Sequence, residues 1–359
     1  MSAGSRGPLS LLIARERDAN GVNGDVNATA GRLRDRYDGK GASASERRQD
    51  ATSLTNEYYD IVTDFYEYGW GQNFHFAPRY MNETFYESLA RYEYFLAYHA
   101  QFKPTDTVLD VGCGIGGPAR NMVRFTSCNV MGVNNNEYQI NRARQHDSRY
   151  GMSGKINYTK TDFCNMCFGD NEFDGAYAIE ATCHSESKVK CYSEVFRAIK
   201  PGAYFMLYEW CLTDLYDPAN EEHQRVRHGI ELGDGLPELD TMRQVVAAVK
   251  AAGFVVEESF DMAERFESGE PKSVPWYEPL QGSYTSLSGL RATPAGRWLT
   301  SVTCRLLEAV RLAPAGTCKA TEILEEGAVN LVKGGELGIF TPSFFVKARK
   351  PRLGEELSC

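Results

Sequence analysis

Residues 106–117, DTVLDVGCGIGG, carry a short apolar run straight into four glycines, and PARNMVRFT follows with its apolar residues at helical spacing. An apolar strand that turns on bare backbone into a helix has to bury both faces, and that requirement selects a parallel sheet covered by helices. The rest of the chain repeats the unit. NVMGVNNN, INYTKTDF, FDGAYAIEA and AYFMLYEW read as strands, with the helical patterns EYQINRARQHDSRYG and SKVKCYSEVFRAIKPG among them. After Trp210 a polar, acidic stretch runs to about Leu239, and then TMRQVVAAVKAAGF, VVEESFDM and SFFVKARK add one helix and two strands. The expected fold class is therefore α/β, a doubly wound, seven-stranded, mostly parallel sheet.

Two segments fall outside this alternation. Residues 51–103 are helical in pattern and dense in aromatics, giving an N-terminal helical lid, and the sheet core then spans 104–265. Residues 266–342 separate the last two strands by far more than a plain connection needs, so they read as a C-terminal insertion subdomain that binds substrate. Residues 343–350 supply the last core strand and 351–359 a tail. Residues 1–50 show almost no apolar periodicity and read as a disordered tail. A mitochondrial presequence fits them less well, because Glu16, Asp18, Asp25, Asp35 and Asp38 lie among the arginines.

The net charge of −9 offers no cationic excess to neutralise phosphates, so no nucleic-acid partner is expected. Ten cysteines form no short, even framework, and they read as free thiols. The lone Cys164-Asn-Met-Cys167 has no second ligand pair at zinc spacing, and no metal is expected. No apolar run reaches the length of a membrane-spanning helix.

Through Gly112, Gly114 and Gly117 the glycine turn satisfies G-x-G-x-x-G, the dinucleotide fingerprint. An NAD enzyme would also want an acidic residue at the end of the second strand, where Asn134 stands. Asp110, two residues before the first glycine, suits a cationic amino group better than a phosphate. VLDVGCGIGG resembles the first motif of class I S-adenosylmethionine-dependent methyltransferases, whose sheet is Rossmann-like. That resemblance implies cofactor binding by Asp110, Gly112, Cys113, Gly114 and Gly116. It also implies ribose contacts from Asn134 and Gln139, with Asn134 in place of the usual carboxylate, and adenine contacts from Asp162 and Phe163.

The stretch YEYGWGQNFHF, residues 66–76, carries Tyr66, Tyr68, Trp70, Phe74 and Phe76. Methyl transfer to an alkene leaves a carbocation, which water would quench and which aromatic faces in a dry pocket stabilise. Gly69 and Gly71 interrupt the block and suggest a bend within it. Together with VLDVGCGIGGPAR, GVNNNEYQI and YAIEATCHS, this stretch resembles the sterol 24-C-methyltransferases, and residues 288–350 resemble that family's C-terminal domain. The resemblance covers residues 55–350. It implies methyl transfer to carbon 24 of a Δ24 sterol such as zymosterol, a hydride shift, and loss of a proton to leave a methylene.

Substrate contacts are then expected from Tyr66, Tyr68, Trp70, Phe74 and Phe76, with Tyr59, Tyr66 and Trp70 nearest the cofactor. Candidate bases and catalytic groups are Glu67, His75, Tyr66 and Asp60 near the aromatic block, and Glu180 and His184 after the fourth strand. Glu180 also stands where it can meet the cofactor. The resemblance further implies a homo-oligomer and peripheral contact with the endoplasmic reticulum or lipid droplets. AGRWLTSVTCRLLEAVRL, with Trp298, Leu299, Val302, Leu306 and Val310 near one face, is read first as a packed amphipathic helix and second as a sterol entrance or bilayer contact. The competing readings are a methyltransferase for another lipid alkene or prenylated ring, a catalytically silent lipid-binding module, and the NAD enzyme.

Overall fold

A computed structural model describes residues 26–38, 41–267, 272–282 and 293–355. Its centre is a seven-stranded sheet of β1 (Thr107–Val111), β2 (Asn129–Asn134), β3 (Ile156–Lys160), β4 (Gly175–Ile179), β5 (Tyr204–Leu212), β6 (Val255–Asp261) and β7 (Phe340–Arg349). The spatial order is β3-β2-β1-β4-β5-β7-β6. Every pairing from β3 to β5 is parallel, and β7 runs antiparallel to both of its neighbours. The strand order reverses at β1 and β4, so the crevice beyond the carboxyl ends of these strands is where a ligand belongs. The last strand begins three residues earlier than the sequence pattern suggests.

Side chains of the strands alternate between two buried layers, as a sheet covered on both faces demands. Leu109, Val111, Phe205 and Leu207 pack on one side with Tyr192, Val195, Val245 and Val249. Val108, Val130, Met206, Tyr208 and Phe345 pack on the other with Leu96, Met122 and Ile140.

Six elements at the N-terminal end and among the first strands frame the crevice. They are α1 (Val26–Asp35), α2 (Ala44–Gln49), α3 (Ala51–Trp70), α4 (Phe85–Ala100), α5 (Gly117–Thr126) and α6 (Glu137–Tyr150). Further along come α7 (Lys188–Ala198), α8 (Glu221–Gly233), α9 (Met242–Ala251), α10 (Met262–Glu267), α11 (Glu278–Gln281), α12 (Pro294–Ala309) and α13 (Thr317–Glu336). A two-residue ribbon, Arg79–Tyr80 against Ser273–Val274, ties the loop after α3 to the segment after β6.

Two sequence expectations are corrected. Residues 26–38 and 41–50 are folded, while 1–25 lie outside the described residues. Ala30, Leu33 and Tyr37 are buried against Tyr58, Leu232 and Ile323. Arg47 reaches Glu231 Oε2 at 3.0 Å and the Pro237 carbonyl at 2.9 Å. The segment has too few apolar residues to fold alone, and it is ordered by partners nearly two hundred residues away. Helix α3 continues through Gly69 and ends at Gly71, whose φ is +93°, so the expected bend falls within the 66–76 stretch, at the second of its two glycines. Finally, the polar stretch after Trp210 contains α8, which buries Val226, Ile230 and Leu232. Of the expected C-terminal tail, 351–355 are described and 356–359 lie outside the described residues.

Candidate active site

Two adjoining cavities open at the carboxyl ends of β1, β2 and β4. The first encloses about 640 Å³, including its open mouth, and is lined by Gly112, Gly114, Asn134, Asn135, Gln139, Asp162, Phe163 and the 179–186 turn, with Thr52, Thr55, Tyr59 and Phe74 closing it from above. The second encloses about 890 Å³ and is largely apolar: Phe65, Tyr66, Trp70, Phe74, Phe76, Trp210, Leu236, Leu280, Leu324 and Leu331 line it. Tyr59, Phe74, Glu180 and His184 line both. These four residues mark the passage between the cavities.

The glycines divide by task. Gly114 has φ +53°, and a side chain there would meet nothing within 4 Å, so its bare backbone faces the first cavity. Gly116 and Gly117 instead admit protein: a Cβ on Gly116 would meet the Tyr158 hydroxyl, and one on Gly117 would meet the Gln72 carbonyl. The bare backbone at Gly117 therefore lets the loop after α3 lie across the start of α5. Cys113 packs back toward Gly132 and lines neither cavity.

Asp110 is also off the cavity linings. It lies opposite Tyr177 on β4, whose hydroxyl donates to its Oδ2 at 2.9 Å, and burial pushes its carboxyl up to about 7. On β2, Asn134 donates to Gln139 Oε1 at 2.7 Å and accepts from the Asn136 amide at 3.2 Å. Gln139 in turn donates to Thr63 Oγ1 at 3.2 Å, which couples α3 to this wall of the cavity. Asp162 uses Oδ1 to accept from the Cys164 amide at 2.8 Å, and Thr52 donates to its Oδ2 at 3.0 Å.

Glu180 has φ +51°, a left-handed conformation that is costly for a non-glycine residue and is held by its surroundings. Its Oε1 accepts from the Phe76 amide at 2.9 Å and its Oε2 from Trp210 Nε1 at 2.7 Å. Burial raises its pKa to about 8 against the pull of His75 and these two donors. His184 receives or gives one hydrogen bond with the Tyr59 hydroxyl at 3.1 Å, and burial lowers its pKa to about 4, so it is neutral.

Several expected site residues have other work. Glu67 points to α6, where it accepts from Arg142 at 2.6 Å and lies 2.9 Å from His146. Burial alone would raise its pKa, but His146 and Arg142 outweigh that and hold the carboxyl below its ordinary value. Asp60 accepts from Asn136 Nδ2 at 2.8 Å. Both carboxylates fasten α3 to α6 and its N-terminal cap, and neither lines a cavity. Tyr68 is 45 % exposed and lines neither cavity. Trp70 lines the second cavity rather than the first, with its Nε1 donating to the His75 carbonyl at 2.8 Å.

His75 lines the second cavity, but both of its ring nitrogens are engaged. Nδ1 donates to the Phe76 carbonyl at 2.7 Å, and Nε2 faces Glu93 Oε1 at 2.8 Å. A carbonyl can only accept, so Nδ1 carries a proton, and the carboxylate favours a second proton on Nε2. Burial opposes that charge, yet Glu93 outweighs it and the pKa is raised. With both nitrogens committed to protein partners, His75 offers no free lone pair to the cavity as it stands.

The residue that sequence reasoning missed is Asp234, at the carboxyl end of α8. It lines the second cavity, accepts from the Tyr66 hydroxyl through Oδ1 at 3.2 Å, and leaves Oδ2 buried without a hydrogen-bond partner. Burial lifts its pKa to about 7. A signal was present: GDG interrupts an otherwise helical run, and its acidic residue follows the buried Ile230 and Leu232. Among the described residues no group of His, Cys, Asp and Glu is arranged to hold a metal ion, and Cys164 and Cys167 are free thiols.

Residues 287–352 match the family profile described as sterol methyltransferase C-terminal, and residues 109–207 match a methyltransferase domain. The chain is 46 % identical over 311 residues to a cycloartenol-C-24-methyltransferase of Arabidopsis thaliana, covering 87 % of this chain and 91 % of that one. It is 42 % identical over 361 residues to a sterol 24-C-methyltransferase of Saccharomyces cerevisiae, covering 98 % and 91 %. Among solved structures, the cyclopropane synthase MmaA2 from Mycobacterium tuberculosis superimposes with a TM-score of 0.61 at 13 % identity, covering 83 % of this chain and 96 % of that one. A geranyl diphosphate C-methyltransferase from Streptomyces coelicolor, solved with S-adenosyl-L-homocysteine, gives 0.58 at 14 % identity, covering 84 % and 97 %. At these identities the structural likeness establishes the fold, a class I methyltransferase sheet.

Proposed function

The chain belongs to the sterol 24-C-methyltransferase family, S-adenosylmethionine-dependent enzymes that methylate the sterol side chain, and from that premise we propose how its two cavities divide the work. The first holds S-adenosylmethionine and the second holds the sterol, with the side-chain alkene at the passage lined by Tyr59, Phe74, Glu180 and His184. The observation that carries this reading is the passage itself, where a cleft with polar side chains in its walls meets a largely apolar chamber.

The residues of the first cavity fit the cofactor. Gly114 gives backbone access, Asn134 and Gln139 present polar atoms at the end of β2, and Asp162 with Phe163 offers a carboxylate beside a ring. S-adenosylmethionine supplies an electrophilic methyl group. The sterol π bond takes that methyl at carbon 24, and a cation forms at carbon 25 and passes to carbon 24 by hydride shift.

The chain's own residues protect that cation. Trp70 packs edge-on against Phe76 at 4.9 Å, and Tyr66 lies 5.5 Å from Phe74, so several ring faces and edges enclose the second cavity and exclude water. Each desolvated ring facing a cation contributes about 2 kcal/mol or more. Glu180, whose two oxygens are held by Phe76 and Trp210, presents a fixed polar group to the cation without being free to form a covalent bond to it. His184 stays neutral and orients Tyr59.

Peripheral membrane contact belongs to this proposal. No helix among the described residues is long and apolar enough to cross a membrane. On α12, however, Trp298, Leu299, Leu306 and Val310 are each more than half exposed, which favours the bilayer-contact reading of this face over the packed one.

The test is incubation of the purified chain with methyl-labelled S-adenosylmethionine and a detergent-dispersed Δ24 sterol, with products read by mass spectrometry. A sterol heavier by one methylene unit supports the reading. Cofactor binding with turnover only of another lipid alkene would reject the sterol assignment.

A further inference from the structure

We propose that Asp234 is the base that ends the reaction, accepting through Oδ2 the proton lost from the newly added methyl group. The inference rests on the cavity assignment above and goes beyond it by naming the acceptor.

Three observations support it. Asp234 is 7 % exposed, and its Oδ2 has no hydrogen-bond partner, although a buried carboxylate oxygen in an apolar wall normally finds one. An orphaned acceptor on a residue that lines a ligand cavity is placed for a donor that arrives with the ligand. The other acidic group of this cavity, Glu180, has a donor on each oxygen and so has no oxygen left for a further donor. Asp234 has one donor, Tyr66, on Oδ1 alone.

The second observation is location. Asp234 lines the second cavity together with Tyr59, Glu180 and His184 of the passage, and the ring of its donor Tyr66 lies 6.4 Å from that of Tyr59. A sterol carries its hydroxyl at the end of the molecule opposite the side-chain alkene. With the alkene at the passage, that hydroxyl lies away from Asp234, and the methyl-bearing end lies toward it.

The third is support from behind. Tyr66 is held by Tyr58, whose single hydroxyl proton serves either the Tyr66 oxygen at 2.7 Å or the Gly233 carbonyl at 2.9 Å; donation to Tyr66 leaves the Tyr66 proton for Oδ1. This chain of hydroxyls keeps Tyr66 on Oδ1 and off Oδ2. On the far side, Gly327 of α13 lets the two helices close on the carboxyl, since a Cβ there would stand 3.2 Å from Oδ2. The groups facing the carboxyl are thus Tyr58, Tyr59 and Tyr66 of α3, Tyr37, and Cys183 of the 182–184 turn, none of them cationic. Burial among them brings the carboxyl to about 7, near the value at which a base is both available and strong enough to act.

The step balances without a further reagent. A C–H bond of the new methyl breaks, its electron pair becomes the second bond between that carbon and carbon 24, and the carbon 24 cation is discharged. The proton passes to Oδ2 and is released to solvent when the product leaves.

The test compares wild type with Asp234→Asn, which keeps size and the Tyr66 contact but removes the base. The expected result is a kcat at least about 100-fold lower, with sterol KM and cofactor affinity within about twofold. The remaining product should shift toward alcohols formed by water capture of the cation. Wild-type kcat and product ratio in Asp234→Asn would overturn the proposal, as would a raised KM with unchanged kcat, the signature of a sterol anchor. If the variant does not fold, Tyr66→Phe with trideuteromethyl cofactor decides: proton loss routed through Asp234 predicts a larger deuterium isotope effect than in wild type, and an unchanged one overturns it. Failure of wild type to make a methylene sterol would reject the cavity assignment instead.

Discussion

Acidic residues show how far a side chain's role depends on what surrounds it. Glu67, Asp60, Glu93 and Glu180 all lie near the aromatic stretch or the ends of the strands, and sequence spacing alone does not separate them. In the fold, Glu67 and Asp60 clamp α3, Glu93 pairs with His75, and only Glu180 faces the cavities. The His75–Glu93 pair makes a distinct prediction. Its side chains are 1 % and 0 % exposed, and removing one charge leaves the other buried and unpaired. Glu93→Gln should cost about 3–5 kcal/mol. The folded pKa of His75 is raised, so the stabilisation from its proton is fully present below about 6.5 and is lost as pH rises through the folded value. Urea titrations of wild type and variant should therefore show the largest gap in slightly acid buffer and a narrowing gap in alkaline buffer.

Elements were legible in proportion to how locally their pattern is written. All seven strands could be read because an apolar run closed by glycine or polar residues needs no distant partner to declare itself, and TVLDV followed by GCGIGG is the clearest case. Helix α8 was read as a polar stretch, because its outward face is EEHQR and its inward face matters only against α13. Helices α1 and α2 were hidden for the same reason, since Leu33 and Arg47 acquire partners only after α8 and the loop following it are in place. Asp234 was lost with α8. The α8–α13 crossing is close enough to depend on two glycines, as a Cβ on Gly233 would fall on the Gly327 backbone. Gly233→Ala should cost about 2–3 kcal/mol by overpacking, and because residue 234 follows directly, turnover should fall more steeply than the thermal midpoint predicts. Differential scanning calorimetry paired with sterol turnover at a temperature where both proteins are folded would show it.

At the scale of the whole molecule, a sterol has to pass from a bilayer into a chamber whose walls come from widely separated parts of the chain. Phe76 and Trp70 come from the start, Trp210 from the sheet, and Leu324 and Leu331 from α13, which packs beside α12. The apolar side chains exposed on α12 are thus next to an element that lines the sterol chamber. With a net charge of −9, the chain gains little from anionic lipid, so any bilayer attachment through α12 has to be hydrophobic. Replacing Trp298 and Leu306, 68 % and 63 % exposed, by aspartate removes apolar area without disturbing a core. The loss of about 3 kcal/mol of burial in the bilayer corresponds to roughly a hundredfold weaker partitioning. Flotation with neutral phosphatidylcholine vesicles should show that loss, and added anionic lipid should not rescue it. Turnover of detergent-dispersed sterol should stay near wild type while turnover of vesicle-borne sterol falls. Equal loss in both assays would mean that the face supports the fold of the chamber and not the transfer of sterol into it.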